Sequence, residues 1–425
     1  MSSIRLISLG CAKNLVDSER IIGDLSAAGC PLGGRQDGRK TNYVIINTCG
    51  FIRSALEETY REIDKARRSF PNSRLVIFGC GVNRATDELK RSFPQITDWF
   101  RISERNQMIA MIAGRRSTAK SRRVTTVGYA YLKIADGCSN RCAYCTIPSI
   151  RGPLTSRPMP DIIDEAKGLA RAGFRELILI AQDTAAYGRD RYGRSMLIPL
   201  IHALSLQPGI SWLRILYAHP RSLTPAMIRE LSIQPKVCRY LDMPIQHVSE
   251  RLLRLMNRHV GRRRIEVLVR ALKDNDFTFR TTVMSGFPTE TDAEHRELVA
   301  FLRATEPDWL GVFSYSREPD TPAGDMKPVA PLNARKRYAD LIRLQRSLLR
   351  SKNRRRIGRS FDILVSGSVG RPIGHAEFAA PEVDSRIIVT GGKPLVGQIC
   401  HARITAMRGS DLCAKVIPRS GNHHE

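Results

Sequence analysis

Three cysteines stand within eight residues in the stretch Asp136-Gly137-Cys138-Ser139-Asn140-Arg141-Cys142-Ala143-Tyr144-Cys145, spaced C-x3-C-x2-C. Thiolates are soft ligands that select zinc, copper(I) or iron–sulfur clusters. Tetrahedral structural zinc needs a fourth protein ligand, and no His stands nearby on either side. Three thiolates do suit a [4Fe-4S] cluster with one iron left open. An open iron is a place for a small molecule, so the stretch reads as catalytic. The bland alternative is three core cysteines bunched together, since free Cys is usually buried.

A second set of cysteines is spread along the chain. Cys11, Cys49 and Cys80 each follow a short apolar run that reads as a strand: Ile4 to Leu9, Tyr43 to Ile46, and Leu75 to Phe78. Helical patterns separate these runs, one carrying Leu15, Ile21, Ile22 and Leu25 with Asn14 and Asp17 as its N-cap, another from about Ser54 to Arg68. Strands alternating with helices imply a parallel sheet. Ligands gather at the carboxyl edge of such a sheet, which would bring the three thiols to one spot. Spacing alone also allows three unrelated core cysteines. The same position past three successive strands favours a second three-thiolate site.

The elements around the first stretch repeat the pattern. Candidate strands are Tyr131 to Ala135, Glu176 to Ala181, Trp212 to Tyr217, Tyr240 to Met243, Thr281 to Met284 and Trp309 to Phe313, with helices between them. Six such units suggest an incomplete (βα) barrel with function at the carboxyl ends. Those ends carry Gln182-Asp183-Thr184, His219, His247, Gly286-Phe287-Pro288 and Tyr315. His219 and His247 read either as substrate contacts or as hydrogen-bonded wall residues. From Arg359 onward short alternating strands punctuated by Gly and Pro suggest a small β-barrel. The fold class is α/β: an open parallel domain over 1–114, a basic linker over 115–127, a partial (βα)6 barrel over 128–357 and a β-barrel over 358–425.

The chain has 68 Lys and Arg against 41 Asp and Glu, a net charge of +27. Such a field favours an acidic partner, nucleic acid or a ribonucleoprotein first; a surface drifted toward Arg is the alternative. The basic residues are dense at 115–123, 262–264 and 335–359. No apolar run approaches the length of a membrane span. With no signal-peptide layout, a cytoplasmic location is expected, where clustered cysteines bind metal or do chemistry. Cys30, Cys238, Cys400 and Cys413 read as buried or incidental.

The Cys138–Cys145 loop after a first barrel strand resembles that of the radical S-adenosylmethionine (SAM) enzymes. With Cys11, Cys49, Cys80 and the terminal β-domain, the whole chain resembles the radical SAM methylthiotransferases, whose last domain is a TRAM domain. Several stretches are similar to the RimO branch: Ile7 through Glu19, Ala181-Gln182-Asp183-Thr184, Tyr240 through His247, Tyr315-Ser316-Arg317-Glu318, and Ala380-Pro381-Glu382-Val383-Asp384. Two places depart from the family pattern. Thr289 replaces Gly in Gly-Phe-Pro-Gly-Glu-Thr, so a differently shaped loop is expected there. Asp320 replaces the Gly before Thr321-Pro322-Ala323.

The resemblance implies two [4Fe-4S] clusters and SAM. Cys138, Cys142 and Cys145 would hold the cluster that cleaves SAM to a 5′-deoxyadenosyl radical. Cys11, Cys49 and Cys80 would hold an auxiliary cluster that supplies sulfur. Gln182 and Asp183 would hold the SAM amino group, and Gly286 and Glu290 would face its backbone or adenine. Tyr144 would either pack near the adenine or shield the cluster. The implied substrate is the β-carbon of an aspartate in small-subunit ribosomal protein S-twelve, with an electron donor and RNA contacts through basic surfaces as further partners. A transfer-RNA adenosine next to the anticodon is the rival substrate. A non-catalytic redox or RNA-binding protein stapled by clusters is the rival of another class.

Overall fold

A computed structural model describes residues 3–33, 41–115, 121–368, 370–392 and 394–418. They form two compact units. The first comprises residues 1–125, 136–154 and 316–325, and the second comprises the rest.

The first unit is built on a parallel sheet in the order β1 (Ile4–Ser8), β2 (Tyr43–Thr48), β3 (Arg74–Gly79), β4 (Asp98–Phe100). Helices α1 (Ala12–Ala27), α2 (Arg53–Ser69), α3 (Cys80–Ser92) and α4 (Arg105–Ala113) follow the strands in turn. Successive strand residues point to opposite faces, so Val44, Ile46 and Ile77 pack on α2 and α3 residues such as Ile63 and Leu89. Ile45, Val76 and Phe78 face the other way, onto Ile21 and Leu25 of α1 and Met108 and Ile112 of α4. The same unit includes α5 (Ile147–Arg151) and the loop that holds Cys138, Cys142 and Cys145.

Two sequence expectations change here. Asn14 and Asp17 do not cap α1, which begins at Ala12 with Cys11 as its N-cap; Asn14 is buried and bonds to strand ends instead. The expected linker is anchored where it is described. Arg122 forms an ion pair with Glu19 at 2.6 Å with both side chains buried, and Ser121 donates its N–H to Asp24. Residues 116–120 lie outside the described residues.

In the second unit, β5 (Tyr129–Lys133) opens a six-stranded sheet; the short strands β6 (Ala135–Asp136) and β7 (Thr155–Ser156) bracket the cysteine loop in sequence. The order is β12 (Trp309–Ser314), β11 (Thr278–Ser285), β10 (Val237–Asp242), β9 (Trp212–Ile215), β8 (Glu176–Ile180), β5. Every pairing is parallel and each long strand lies beside its predecessor, the arrangement of an open partial barrel. The intervening helices are α6 (Met159–Arg171), α7 (Arg189–Tyr192), α8 (Leu197–Ser205), α9 (Pro225–Ser232), α10 (Glu250–Leu255), α11 (Arg262–Asp274) and α12 (Asp292–Thr305).

Helix α13 (Pro331–Arg356) then leads to a closed five-stranded barrel. Its strands are β13 (Ser360–Ser368), β14 (Pro372–Ala376), β15 (Ile387–Thr390), β17 (Asp411–Val416) and β16 (Ile399–Arg408) in order around the barrel. Buried polar groups fasten it to the sheet. Arg214 and Glu176 pair at 2.6 Å with no side-chain exposure, and Glu176 also meets His375. Arg214 donates further to the carbonyls of Glu377 and Ala376. The stretch Ala380 to Asp384 does similar work: Glu382 accepts from the Tyr129 and Tyr131 hydroxyls, and Asp384 from Tyr240 and Arg280.

Candidate metal centre

In the first unit the three strand ends are set side by side by register, with Ser8 opposite Asn47 and Thr48 opposite Gly79. Cys11 therefore caps α1, Cys49 follows β2 directly, and Cys80 opens α3. A Cβ on Gly10, whose φ is +83°, would lie 2.8 Å from the Cys49 sulfur, so the first two loops touch. Asn14 fixes the carbonyls of Leu9 and Thr48 through its amide nitrogen and accepts from Arg151 on its oxygen. Thr48 in turn accepts from Gly81 and donates to Phe78.

The three sulfurs lie close enough to influence one another's charge. Burial pushes the Cys80 thiol up to about 11; Arg151 opposes this, and the charges of Cys11 and Cys49 add to it. Burial, then the charges of Cys11 and Glu58, likewise raise Cys49 against nearby backbone N–H donors. Desolvation alone would raise Cys11, but Lys13, Arg151 and backbone N–H groups bring it below its ordinary value. Thiols that repel one another as anions become a stable thiolate set when a cation lies among them.

The second trio sits on a tightly bound loop. Cys138 donates its N–H to Gly152 O and Cys145 donates to Cys142 O. A Cβ on Gly137, at φ +70°, would be 2.0 Å from the Pro153 oxygen. Thr146 bonds to Phe51 O, Asn83 to Ile150 O, and Ala323 to Ala143 O. Tyr144 is half-buried. Both trios thus belong to one unit.

Arg151 joins them and was not legible as a site residue. Its Nε lies 3.3 Å from the Cys80 sulfur, one amino nitrogen 2.7 Å from Asp136, and the other 2.7 Å from Asn14 and 3.0 Å from Asp17. Burial disfavours its charge, and Asp17, Cys80 and Asp136 outweigh that and keep it protonated. Arg84 does a comparable job for the loop of 316–325. It pairs with Glu318 at 2.6 Å and with Asp320 at 3.0 Å, so Asp320 gains an ion pair that the family's Gly could not make.

Among the described residues no three His, Cys, Asp or Glu side chains surround a point as ligands of one metal ion. A cubane asks for a wider set, because each thiolate binds a different iron. Three soft donors on anchored loops, with a buried guanidinium beside one of them, fit such a group.

In the second unit, Gln182 is half-buried just past β8. Asp183 is buried and accepts from the His219 N–H and from Ser222 Oγ at 2.7 Å, so its carboxylate holds the loop after β9. Gly286, at φ +74°, donates its N–H to Glu290 at 2.7 Å. Glu290 has no side-chain exposure and lies 3.5 Å from Arg337 and 3.6 Å from His247. It holds the loop after β11 from inside through the Gly286 N–H.

His247 and His219 each accept a backbone N–H on Nδ1. Burial, then Arg258 and Arg221, push His219 well below the ordinary range and leave it neutral. Thr289 stands in a conformation that glycine adopts more readily. It keeps a left-handed φ of +65°, held by Arg251, which donates to its hydroxyl and carbonyl.

The comparisons divide the chain in the same order. Residues 3–100 match the family described as Uncharacterized protein family UPF0004, residues 132–302 the Radical SAM superfamily, and residues 357–417 the TRAM domain. A protein of Heliobacterium modesticaldum named ribosomal protein uS12 methylthiotransferase RimO is 37% identical, covering 98% of this chain and 96% of its own. The chain belongs to the RimO methylthiotransferase family. RimO proteins of Geobacter sulfurreducens and Aquifex aeolicus bear the same name at 37% and 36% identity, each over 97% of this chain and 98% and 96% of their own. Among solved structures, the radical SAM methyltransferase TsrM of Kitasatospora setae has a TM-score of 0.58 at 16% identity, covering 76% of this chain and 77% of that one. That likeness concerns the fold. Membership in the RimO family brings SAM and a [4Fe-4S] cluster with the radical SAM domain.

Proposed function

We propose that this radical SAM transferase adds a methylthio group to the β-carbon of an aspartate in ribosomal protein S-twelve (uS12). The carrying observation is that two three-cysteine sets occupy one compact unit, in a chain that aligns end to end with proteins named for this reaction. Those names carry the ribosomal protein and not a transfer RNA, which favours the protein substrate.

Cys138, Cys142 and Cys145 hold one [4Fe-4S] cluster, and Cys11, Cys49 and Cys80 hold the second. When bound, the first cluster with SAM supplies a radical able to take hydrogen from carbon, and the second supplies sulfur. The chain's own groups prepare the place. Arg151 donates to the Cys80 sulfur and balances negative charge as thiolates form. Asn14 and Thr48 keep the three strand ends in register. Gln182, with the Gly286 backbone, lies at the sheet edge where SAM would be held, and Asp183 fixes the neighbouring loop. Tyr144, between two ligands, either stacks near adenine or shields the cluster. An electron donor, contact with RNA through basic surfaces and a cytoplasmic setting complete the reading; among the described residues no helix is long and apolar enough to cross a membrane.

The test offers the reconstituted protein, with reductant and SAM, a uS12 peptide and an anticodon stem-loop together. Gain of one CH2S on the peptide alone is expected, with about eight irons per chain. Modification of the RNA would overturn the substrate, and unchanged sulfur transfer after Cys49→Ala would overturn the auxiliary-cluster assignment.

A further inference from the structure

Helix α13 carries ten Lys or Arg residues and one acidic residue, Asp340. The fold treats these cations in two ways. Arg337 is paired with Asp292 and Glu290, Arg343 with Asp340, Lys352 and Arg356 with Asp308, and Arg355 with Glu306. Arg346, Arg350 and Arg354 are exposed, and among the described residues no carboxylate pairs with them.

The three are not scattered. Steps of four keep Arg346, Arg350 and Arg354 on one face, opposite the buried Leu341, Leu344 and Leu348. From Arg346 to Arg354 the row runs about 12 Å along the axis, with a guanidinium roughly every turn of 5.4 Å. Ser347 and Ser351 lie between them, and the same side chains line one shallow open cleft.

We propose that this row is a docking surface for the phosphate backbone of RNA. A helix left with a line of uncompensated cations is complementary to a line of regularly spaced anions, and hydroxyls between the arginines add hydrogen bonds to phosphate oxygens. Arginine rather than lysine favours planar, two-pronged contact with phosphate. A membrane-surface helix would need large apolar side chains bordering the cations; here the intervening exposed residues are serines. The proposal deepens the RNA-contact part of the proposed function and draws nothing from the sulfur chemistry.

The test measures binding of the full chain to a fluorescein-labelled RNA hairpin over a series of salt concentrations. Arg346→Gln, Arg350→Gln and Arg354→Gln together should weaken binding roughly 10- to 100-fold and flatten the slope of log affinity against log salt by about 2 to 3. The control removes the same charge from exposed positions on α11, through Arg263→Gln, Arg270→Gln and Lys273→Gln, and should leave most of the affinity. Equal loss in both variants would show that only the overall field matters and would overturn the docking surface. So would unaltered RNA binding accompanied by lost binding to a uS12 peptide or to anionic vesicles. Peptide methylthiolation is followed in parallel: its absence from the unmodified protein would sink the proposed function and leave the RNA result standing.

Discussion

Arg151 places its Nε 3.3 Å from the sulfur of Cys80 while Asp136, two residues before Cys138, grips the same guanidinium at 2.7 Å. One buried cation therefore contacts Cys80 and the residue two places before Cys138. Replacing it with Gln leaves Asp17 and Asp136 without their partner and should cost about 3–5 kcal/mol of stability. In reconstituted protein, a lost donor to sulfur makes the adjoining cluster harder to reduce. An EPR-monitored redox titration of Arg151→Gln should show one potential moved to more negative values, with Arg151→Lys moved less. Unchanged potentials would reduce Arg151 to a structural role.

Gly10 and Gly137 stand immediately before the first cysteine of each set; a Cβ on Gly10 would collide with Cys49 on the next loop, and one on Gly137 with Pro153 at the far end of its own. A left-handed φ also costs a non-glycine residue about 1–2 kcal/mol. Gly137→Ala should lose about four of some eight irons, and Gly10→Ala about the other four. Iron and sulfide analysis beside SAM cleavage separates the two: only Gly137→Ala should abolish 5′-deoxyadenosine.

Glu176 governs an acid-sensitive joint. Burial alone would raise its carboxyl, but Arg214 and His375 hold it down at about 2, against an ordinary 4.5. Because the folded value is the lower one, its ionisation stabilises the fold above pH 4.5, and this contribution fades as pH falls toward 2. Glu176→Gln, which strands the buried Arg214, should be about 3–5 kcal/mol less stable near neutrality. Urea unfolding of the two proteins should converge as pH drops through that window; a constant gap would contradict the assignment.

Asp384 accepts from Tyr240 at 2.7 Å and from the Ala380 N–H at 2.8 Å, and shares Arg280 with Asp242. Asp384→Asn keeps the shape and removes the charge, so a loss of about 1–3 kcal/mol is expected. Hydrogen exchange should then quicken in β13 to β17 before it does in β8 to β11.

Much of this was legible because chemistry and periodicity coincided. The three strand-then-cysteine repeats required only alternation and a parallel sheet, and the C-x3-C-x2-C loop declared itself. What escaped were short or polar strands. Three-residue β4 contains Asp98, whose charge is met by Arg74, and β14 begins with Pro372 and includes Gly374. Arg151 and Asn14 escaped for another reason. Their roles depend on contacts as far as 137 positions apart in the chain, which no local pattern encodes. Asp183 and Glu290 stand at the strand ends where the sequence places them, while their partners, Ser222 for one and the Gly286 N–H for the other, are set by packing. The left-handed φ of Thr289 is likewise held from another helix, by Arg251.

The Glu176–Arg214–His375 joint has a consequence for how such enzymes diversify. Arg214 extends from the sheet to backbone carbonyls of residues 376 and 377 in the terminal barrel, and a buried guanidinium tolerates no vacancy among its acceptors. A barrel exchanged with one from another methylthiotransferase would bring its own carbonyl positions and its own answer to His375. The sheet and the terminal barrel are thus matched at a single side chain, and a replacement barrel would have to present carbonyls to Arg214 at the same two places.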